Sequence, residues 1–292
     1  MILVDLSKMT SGFCDRLRAV TFGITIHKLY YRNEKKIIKL IEKKNNECPF
    51  LISDICYIQG FRILKTKHKN KNDFVISMTP YNSDLTKENV QKHHNSKKYS
   101  DEAILKSWIK SYNLIHCNKK IKTIINKIYL PKKFFSIHIR STDKLVSTME
   151  KLFEIPSKPT ITFGQMNYFI NNILDLINKN TKNKNVYIAS DSEIYRLKII
   201  KLLKKNNYNI FINNSSFVKK KLRQTSATDF GVDLFCLKQS SLILSSTGGG
   251  VPNTANLMSK KNKHINFLKN TEYFDYLNFF SKIIHLIRGI FK

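Results

Sequence analysis

The sequence lacks the features that mark secreted, zinc-bound or membrane-spanning proteins. Its five cysteines, at positions 14, 48, 56, 117 and 236, are odd in number and form no Cys-x-x-Cys pair, so neither a disulfide framework nor a zinc site is indicated. The first residues lack the basic start and long apolar run of a signal peptide, and no stretch reaches the ~18 apolar residues that a membrane span needs. We therefore expect a cytoplasmic protein that is soluble or peripheral at the membrane.

Acidic residues are also scarce, since 51 Lys and Arg oppose 21 Asp and Glu, for a formal net charge of +30. Such a charge attracts polyanions, so a basic nucleic-acid-binding protein is one interpretation. The lysines, however, are spread along the chain together with asparagines, as in residues 182–185, which is typical of a compositional bias. No basic motif interleaved with aromatic residues appears, and we expect no nucleic-acid partner.

The order of apolar segments predicts an α/β protein. After Pro131, predicted strands at 134–139, 186–189, 210–212 and 241–244 alternate with predicted helices at 163–178, 193–205 and 229–239, a pattern typical of parallel βαβ units. Before it, a strand at 1–6 precedes a helix at 17–31, and Ser100 is a plausible N-cap for a helix at 101–117. We predict two Rossmann-like domains, 1–130 and 131–270, facing across a cleft with ligands at the carboxyl ends of the strands.

The last segment, 271–292, is predicted to be an amphipathic helix. Apolar residues recur at helical spacing between 276 and 291, with basic residues on another face. Such a helix either lies on an anionic membrane or packs back across the two domains.

A dense cluster of ionisable residues follows the strand at 134–139. It comprises His138, Arg140, Asp143 and Lys144. An Arg guanidinium can grip two phosphate oxygens and stabilise the negative charge of a departing pyrophosphate, so Arg140 is the candidate for that role. The alternative is a surface ion pair between Arg140 and Asp143, which needs no ligand.

Two further strand ends carry polar residues. Asp191 follows the strand at 186–189 and suits a ribose or base, although Ser190 with Glu193 also fits a helix capping box. Asp229 and Asp233 precede the Ser-Ser-Thr-Gly-Gly-Gly run at 245–250, whose backbone amides at a helix start would suit phosphate. The run lacks the P-loop order of glycines and lysine, and a tight loop without a ligand explains it equally well.

Near the N-terminus, the segment at 11–19 lies where a strand gives way to a helix. Gly12 would allow close approach of a ligand to the backbone, and Arg16 or Arg18 would add positive charge. The alternative is a helix-start Asp15 with ordinary surface arginines.

Taken in order, these four segments resemble the fucosyltransferases that use GDP-fucose, a superfamily that includes α-1,6-, nodulation and protein O-fucosyltransferases. Residues 12–19 are similar to a Gly-x-x-Asn-Arg-Leu-Arg-Ala motif, with Asp15 in place of Asn, and residues 138–144 to a His-x-Arg-Arg-Thr-Asp-Lys strand end, with Ser141 in place of the second Arg. Ser190-Asp191 and Asp233-Leu234 followed by Ser245-Ser246-Thr247 match the later motifs. The matches cover about a quarter of the chain, and residues 35–130 match no motif.

The resemblance implies a GT-B-like fold and inverting sugar transfer to a glycan acceptor, with GDP-fucose as donor substrate and no obligatory metal or other cofactor. It implies that Arg140 grips the β-phosphate, that His138 and Asp233 line the guanine pocket, and that residues 12–14 contact the pyrophosphate from the opposite domain. The implied donor-binding residues are Gly12, Phe13, Cys14, Arg16, His138, Asp143, Lys144, Asp191, Asp233, Ser246, Thr247 and Gly248.

Inverting transfer also needs a base for the acceptor hydroxyl, usually a carboxylate. Glu150 is the nearest candidate after Lys144, and Glu154 is the second. A solvated glutamate on a helix face is the alternative for both. The sugar pocket is not readable from the sequence, so a GT-B transferase with another nucleotide sugar stays open.

Overall fold

A computed structural model describes residues 1–7, 12–44, 48–77, 99–141, 145–146, 161–214, 226–247, 249–259 and 263–267. The chain divides into two compact units, each described here by itself. Unit 1 comprises residues 1–122 and 257–260, and unit 2 comprises residues 123–256 and 261–292. The predicted helix at 271–292 lies outside the described residues, and the predicted domain boundaries stay predictions.

Unit 1 is built on a parallel sheet with the strand order β4-β2-β1-β5. A short antiparallel pair, β3 with β6, lies apart from that sheet. The strands are β1 (Ile2–Asp5), β2 (Ile37–Ile41), β3 (Cys56–Ile58), β4 (Arg62–Lys65), β5 (Phe74–Ile76) and β6 (Ile115–Cys117). The helices are α1 (Phe13–Tyr30), α2 (Ile52–Ile55), α3 (Asp101–Tyr112) and α4 (Lys119–Lys127), the last of which contains the boundary between the units.

Helix α1 is buried along most of its length because it packs between the sheet and α3. Gly23 permits the approach to β1, since a Cβ at this position would lie 2.9 Å from Val4 Cγ2. On the α3 side, the Trp108 indole donates a hydrogen bond to Thr21 Oγ1 at 3.1 Å. The predicted N-cap of α3 is confirmed, because Ser100 Oγ accepts a hydrogen bond from the Ala103 amide at 3.3 Å.

Unit 2 is built on a five-stranded parallel sheet with the strand order β11-β10-β7-β12-β13. Its strands are β7 (Phe135–Ile139), β10 (Asn185–Ser190), β11 (Asn209–Ile212), β12 (Leu242–Ser245) and β13 (Lys263–Asn266), with a separate pair of β8 (Leu145–Val146) and β9 (Ile161–Thr162). The helices are α5 (Phe163–Asn171), α6 (Ile173–Asn180), α7 (Glu193–Lys205), α8 (Ala227–Gln239) and α9 (Gly250–Met258).

The two faces of the unit 2 sheet differ in chemistry, because successive strand residues point to opposite faces. One face is apolar and packs against α5, α6 and α7 in a continuous core that includes Phe135, Ile137, Ile139, Val186, Ile188, Leu242, Leu244 and Ile265. The other face carries mostly polar side chains, namely Ser136, His138, Tyr187, Ser245 and His264. We call it the polar face below.

The helix predicted at 163–178 is in fact two helices, α5 and α6. Asn172 separates them, and its side-chain amide donates to the Tyr168 carbonyl at 2.8 Å. An asparagine that bonds to the preceding turn competes with the helical backbone pattern, which explains the break. The start of α5 is fixed by a capping box, in which Thr162 and Gln165 each accept a hydrogen bond from the other's backbone amide.

Helix α7 matches its predicted bounds, but the predicted capping box of Ser190 with Glu193 is wrong. The N-cap is Ser192, and it makes no side-chain capping bond. Ser190 Oγ instead bonds to Ser192, donating to its carbonyl at 2.9 Å and accepting from its amide at 3.0 Å. At the other end, Asn207 takes a positive φ of 59° and closes a Schellman motif.

Among the described residues, no helix is long and apolar enough to cross a membrane.

Candidate functional site

The carboxyl ends of β7, β10 and β12 bring together three segments that the sequence analysis singled out separately. The Ser246 amide donates to the His138 carbonyl at 3.0 Å, and Ser246 Oγ accepts a hydrogen bond from the Arg140 amide at 3.1 Å. On the other side of β7, the Asp191 amide donates to the Ile139 carbonyl at 3.3 Å. These bonds hold the first residues after each strand in one arrangement at the edge of the sheet.

Arg140 lies at this edge beside the turn that leads into α9. A Cβ placed on Gly249 would lie 3.7 Å from Arg140 Cδ, so the arginine side chain runs along the glycine at ordinary contact distance. Arg140 is partly exposed. The Arg140 side chain thus passes beside the turn that precedes the N-terminus of α9, and an arginine and a helix N-terminus both favour an anion.

His138 is buried on the polar face, with 7% of its surface exposed. Burial, with added repulsion from Arg140 and His264, lowers the pKa of His138 to about 3, so the imidazole is neutral at physiological pH. Its Nδ1 atom is buried and has no hydrogen-bond partner among the described residues. A buried polar atom without a hydrogen-bond partner lowers the stability of the fold unless a ligand supplies the partner.

A second incomplete polar group lies on the turn after β12. Thr247 is 1% exposed, and within the described part of the chain its Oγ1 atom has no hydrogen-bond partner. The turn is held by a hydrogen bond from the Gly249 amide to the Thr247 carbonyl at 2.9 Å, and α9 begins at Gly250. A hydroxyl and a helix start at one turn suit phosphate oxygens.

Asp191 ties two strand ends together. Its Oδ1 atom accepts hydrogen bonds from the Ser141 amide at 2.8 Å and from Ser141 Oγ at 3.3 Å. Ser141 occupies the position of the second arginine in the His-x-Arg-Arg-Thr-Asp-Lys motif. The carboxylate that we predicted to support the nucleotide therefore also fixes the backbone next to Arg140.

Asp233, on α8, faces the polar side of the sheet and bonds to Tyr187 on β10. The Tyr187 hydroxyl donates to Asp233 Oδ1 at 2.5 Å. Burial raises the pKa of Asp233 to about 7; the Tyr187 bond and the Arg196 charge oppose this rise, and Asp229 adds to it. Part of Asp233 stays accessible, as a base-binding carboxylate requires.

The N-terminal segment belongs to unit 1. Gly12 is the N-cap of α1 in an ordinary extended conformation, Phe13 is buried against Phe50, and Cys14 is partly exposed. Arg16 is 0% exposed and donates to the Lys43 carbonyl at 2.7 Å. Its guanidinium is therefore inaccessible to a donor, and we correct the expectation that it adds charge to the site.

Four of the predicted site residues, Asp143, Lys144, Glu150 and Gly248, lie outside the described residues, as does Glu154. Their roles stay predictions. The described ranges also contain no group of three His, Cys, Asp or Glu side chains arranged to hold a metal ion.

Sequence reasoning missed Tyr187 and His264 on this face. Tyr187 and His264 occur inside short strands, where aromatic and apolar residues usually mark a core, and Ser245 Oγ bonds to His264 Nε2 at 2.7 Å. Alternation with the apolar Val186 and Ile188 was the signal that would have found Tyr187, because it places this tyrosine on the face opposite the core.

Comparisons with known proteins were made on sequence and on structure. No protein-family model and no curated protein matches the sequence. Among solved structures, the NodZ fucosyltransferase from Bradyrhizobium matches at a TM-score of 0.52 and 11% identity, over 92% of this chain and 96% of its own. NodZ α-1,6-fucosyltransferase soaked with GDP-fucose matches at 0.51 and 12%, over 93% and 97%. POFUT1 in its apo form matches at 0.52 and 11%, over 91% and 97%.

The chain has the fold of these fucosyltransferases. The predicted α/β, GT-B-like fold class is therefore confirmed, and so is the resemblance drawn from the motifs, at the level of the fold. The cleft between two domains stays a prediction.

Proposed function

We propose that the protein is an inverting glycosyltransferase that moves fucose from GDP-fucose to a hydroxyl of a glycan acceptor. The observation that carries the proposal is the joint position of Arg140, His138 and Thr247 at one sheet edge, with two buried polar atoms there incomplete. The shared fold supports it, because NodZ crystals have been soaked with the same donor.

In this mechanism, unit 2 binds the donor. Arg140 and the start of α9 stabilise the charge that grows on the departing GDP, and Thr247 donates its hydroxyl to a phosphate oxygen. Neutral His138 and the ionised form of Asp233, which predominates above pH 7, hydrogen-bond the base. Because Arg140 and the helix start supply positive charge, we propose that transfer needs no metal ion, and added chelator should leave the rate unchanged.

Glu150, or else Glu154, is proposed as the base that takes the acceptor proton. Replacing each by glutamine separates them, since only the true base lowers the turnover rate while GDP affinity stays constant. We further propose a cytoplasmic location, with contact between the segment 271–292 and an anionic membrane.

Calorimetry tests the donor assignment. Without added metal, the protein should bind GDP and GDP-fucose and bind UDP at least tenfold more weakly, a margin that one charge-assisted hydrogen bond to the base provides. Equal or tighter binding of UDP would contradict the GDP assignment and favour a GT-B transferase with another nucleotide sugar. Binding of nucleic acid without binding of GDP, GDP-fucose or UDP would contradict the assignment as an enzyme.

A further inference from the structure

Tyr187 occupies an unusual place for a tyrosine. It is the third residue of β10, in the middle of the sheet, and it is 0% exposed. Its register partner on β7 is Ser136, so its ring lies on the polar face. A valine or isoleucine would fill a buried strand position without bringing a hydroxyl that must be satisfied.

The hydroxyl is satisfied by one short bond. Tyr187 donates to Asp233 Oδ1 at 2.5 Å, which is the length of a hydrogen bond to an ionised acceptor. The second carboxylate oxygen, Oδ2, accepts no hydrogen bond from the part of the chain that the structure describes. One oxygen of Asp233 is thus held by β10 and the other is left for a ligand.

The charges around this pair set its ionisation. Burial opposes the charged carboxylate, and Asp229, one turn earlier on α8, repels it. Arg196 on α7 attracts it, while Asp229 is itself held by Asn213 and Ser226. On the other side, the Cys236 thiol of α8 faces the Tyr187 phenol.

We propose that Tyr187 is a positioning residue of the donor site, whose hydroxyl, by donating to Oδ1, holds the Asp233 carboxylate in one orientation with its second oxygen open to the base of the nucleotide. This inference rests on the proposed function. The second oxygen accepts hydrogen bonds from the N–H groups of the base best while the carboxylate is ionised, because a protonated acid is a weaker acceptor and adds an O–H donor. The Tyr187 bond lowers the pKa of Asp233, so loss of the hydroxyl increases the protonated fraction at neutral pH.

The test is the pH dependence of GDP binding to the full chain. In Tyr187→Phe, the pKa of Asp233 rises further above about 7, so the acidic limb shifts by about one pH unit, affinity at pH 7 falls by about fivefold and it is regained by about pH 9. The ionisation of GDP itself affects both proteins equally. Its effect therefore cancels when the affinity of the variant is divided by that of the wild type at each pH.

Tyr208→Phe is the matched control. Tyr208 is also buried in unit 2, and its hydroxyl bonds to Asn178 at 3.5 Å, away from Asp233. This variant loses a buried hydroxyl without touching the carboxylate, so its acidic limb should coincide with that of the wild type.

A second replacement at position 187 retains the hydroxyl, so this variant is expected to fold. Site-specific 3,5-difluorotyrosine at position 187 keeps the hydroxyl as a stronger donor, so the acidic limb should move to lower pH. Wild-type binding with unmoved limbs in both variants, or a loss by the same factor at every pH, overturns the role of Tyr187 and leaves the proposed function standing. A wild type that does not bind GDP at all overturns both.

Discussion

The two faces of the unit 2 sheet are made by the same strands but differ in their chemistry. Along β7, Phe135, Ile137 and Ile139 enter the apolar core, whereas the residues between them, Ser136 and His138, lie on the polar face. The strand residues of the core side are apolar, while the polar side contains hydroxyl and imidazole atoms without partners among the described residues. Alternation along a strand thus separates the apolar core from the face on which we propose that the donor binds.

The largest effect is expected from the apolar face. Ile137→Ala leaves a cavity in the core and should lower the free energy of unfolding by about 2–5 kcal/mol, measured by urea denaturation. Ile137→Val is the graded control, with a loss of about 1 kcal/mol. The folded variant should bind GDP with an affinity within about twofold of the wild type, because lost packing leaves the donor contacts in place. A large loss of affinity would show that the two faces are not separable.

The next largest effect is expected from changes at the edge of the polar face. Arg140→Ala should weaken GDP binding by about 100-fold in calorimetry, because two charge-assisted hydrogen bonds to phosphate disappear. The melting temperature should not change. Arg140→Lys should recover part of the affinity as a single point charge, and Lys201→Ala, on the exposed side of α7, should have no effect. A similar loss in the Lys201 variant would mean that net charge alone binds GDP.

A smaller effect should appear in how stability depends on pH. The pKa of His138 lies at about 3 in the folded protein, below its ordinary 6.5, so its contribution to stability is complete above pH 6.5 and is lost as the pH falls. The pKa of Asp233, at about 7, lies above its ordinary 3.8, so its contribution falls as the pH rises from about 4 to 7. The two slopes oppose each other over pH 4 to 6.5.

Single variants should separate these slopes. Urea denaturation between pH 4.5 and 7.5 should show a more negative slope for His138→Asn and a more positive slope for Asp233→Asn than for the wild type. Each change is at most about 1.4 kcal/mol per pH unit, and less for Asp233 because part of it is accessible. Parallel curves for all three proteins would contradict the buried state of both groups.

The smallest effect distinguishes two incomplete hydroxyls. Thr247→Val removes an Oγ1 atom that we assign to phosphate, so it should raise stability slightly and weaken GDP binding by about tenfold. Ser136→Ala removes a buried hydroxyl that also lacks a partner within the described ranges but lies further from the edge. It should raise stability and leave affinity unchanged. Equal affinity in both variants would remove Thr247 from the site.

The sequence predicts the long elements of unit 2 well because local pattern decides them. The apolar runs of β7, β10 and β12 and helices α7 and α8 are found within about two residues of their predicted positions. Between 35 and 130, by contrast, β2, β3 and β4 were missed, and the helix predicted at 101–117 was wrong at its end, because α3 stops at Tyr112 and residues 115–117 form β6. These strands are three to five residues long, and in β2 the lysine between Ile38 and Leu40 hides the strand pattern.

The site was predictable where it lies at strand ends and not where it depends on distant partners. His138, Arg140, Asp191 and Ser246 follow apolar runs, so their convergence at one edge follows from parallel strand order. The bond from Tyr187 to Asp233 joins residues 46 apart, and the burial of Arg16 depends on the Lys43 carbonyl 27 residues away. No local pattern encodes such contacts.

Hydrogen–deuterium exchange of the whole chain with and without GDP tests the central claim most directly, because it locates the ligand. We predict slower exchange at residues 138–141, 190–191, 245–247 and 249–250 and no change over the exposed middle of α7. Arg140→Ala at the same GDP concentration should show little protection. Protection confined to other segments, or unchanged exchange at a GDP concentration that calorimetry shows to be saturating, would contradict the assignment of the polar face as the donor site.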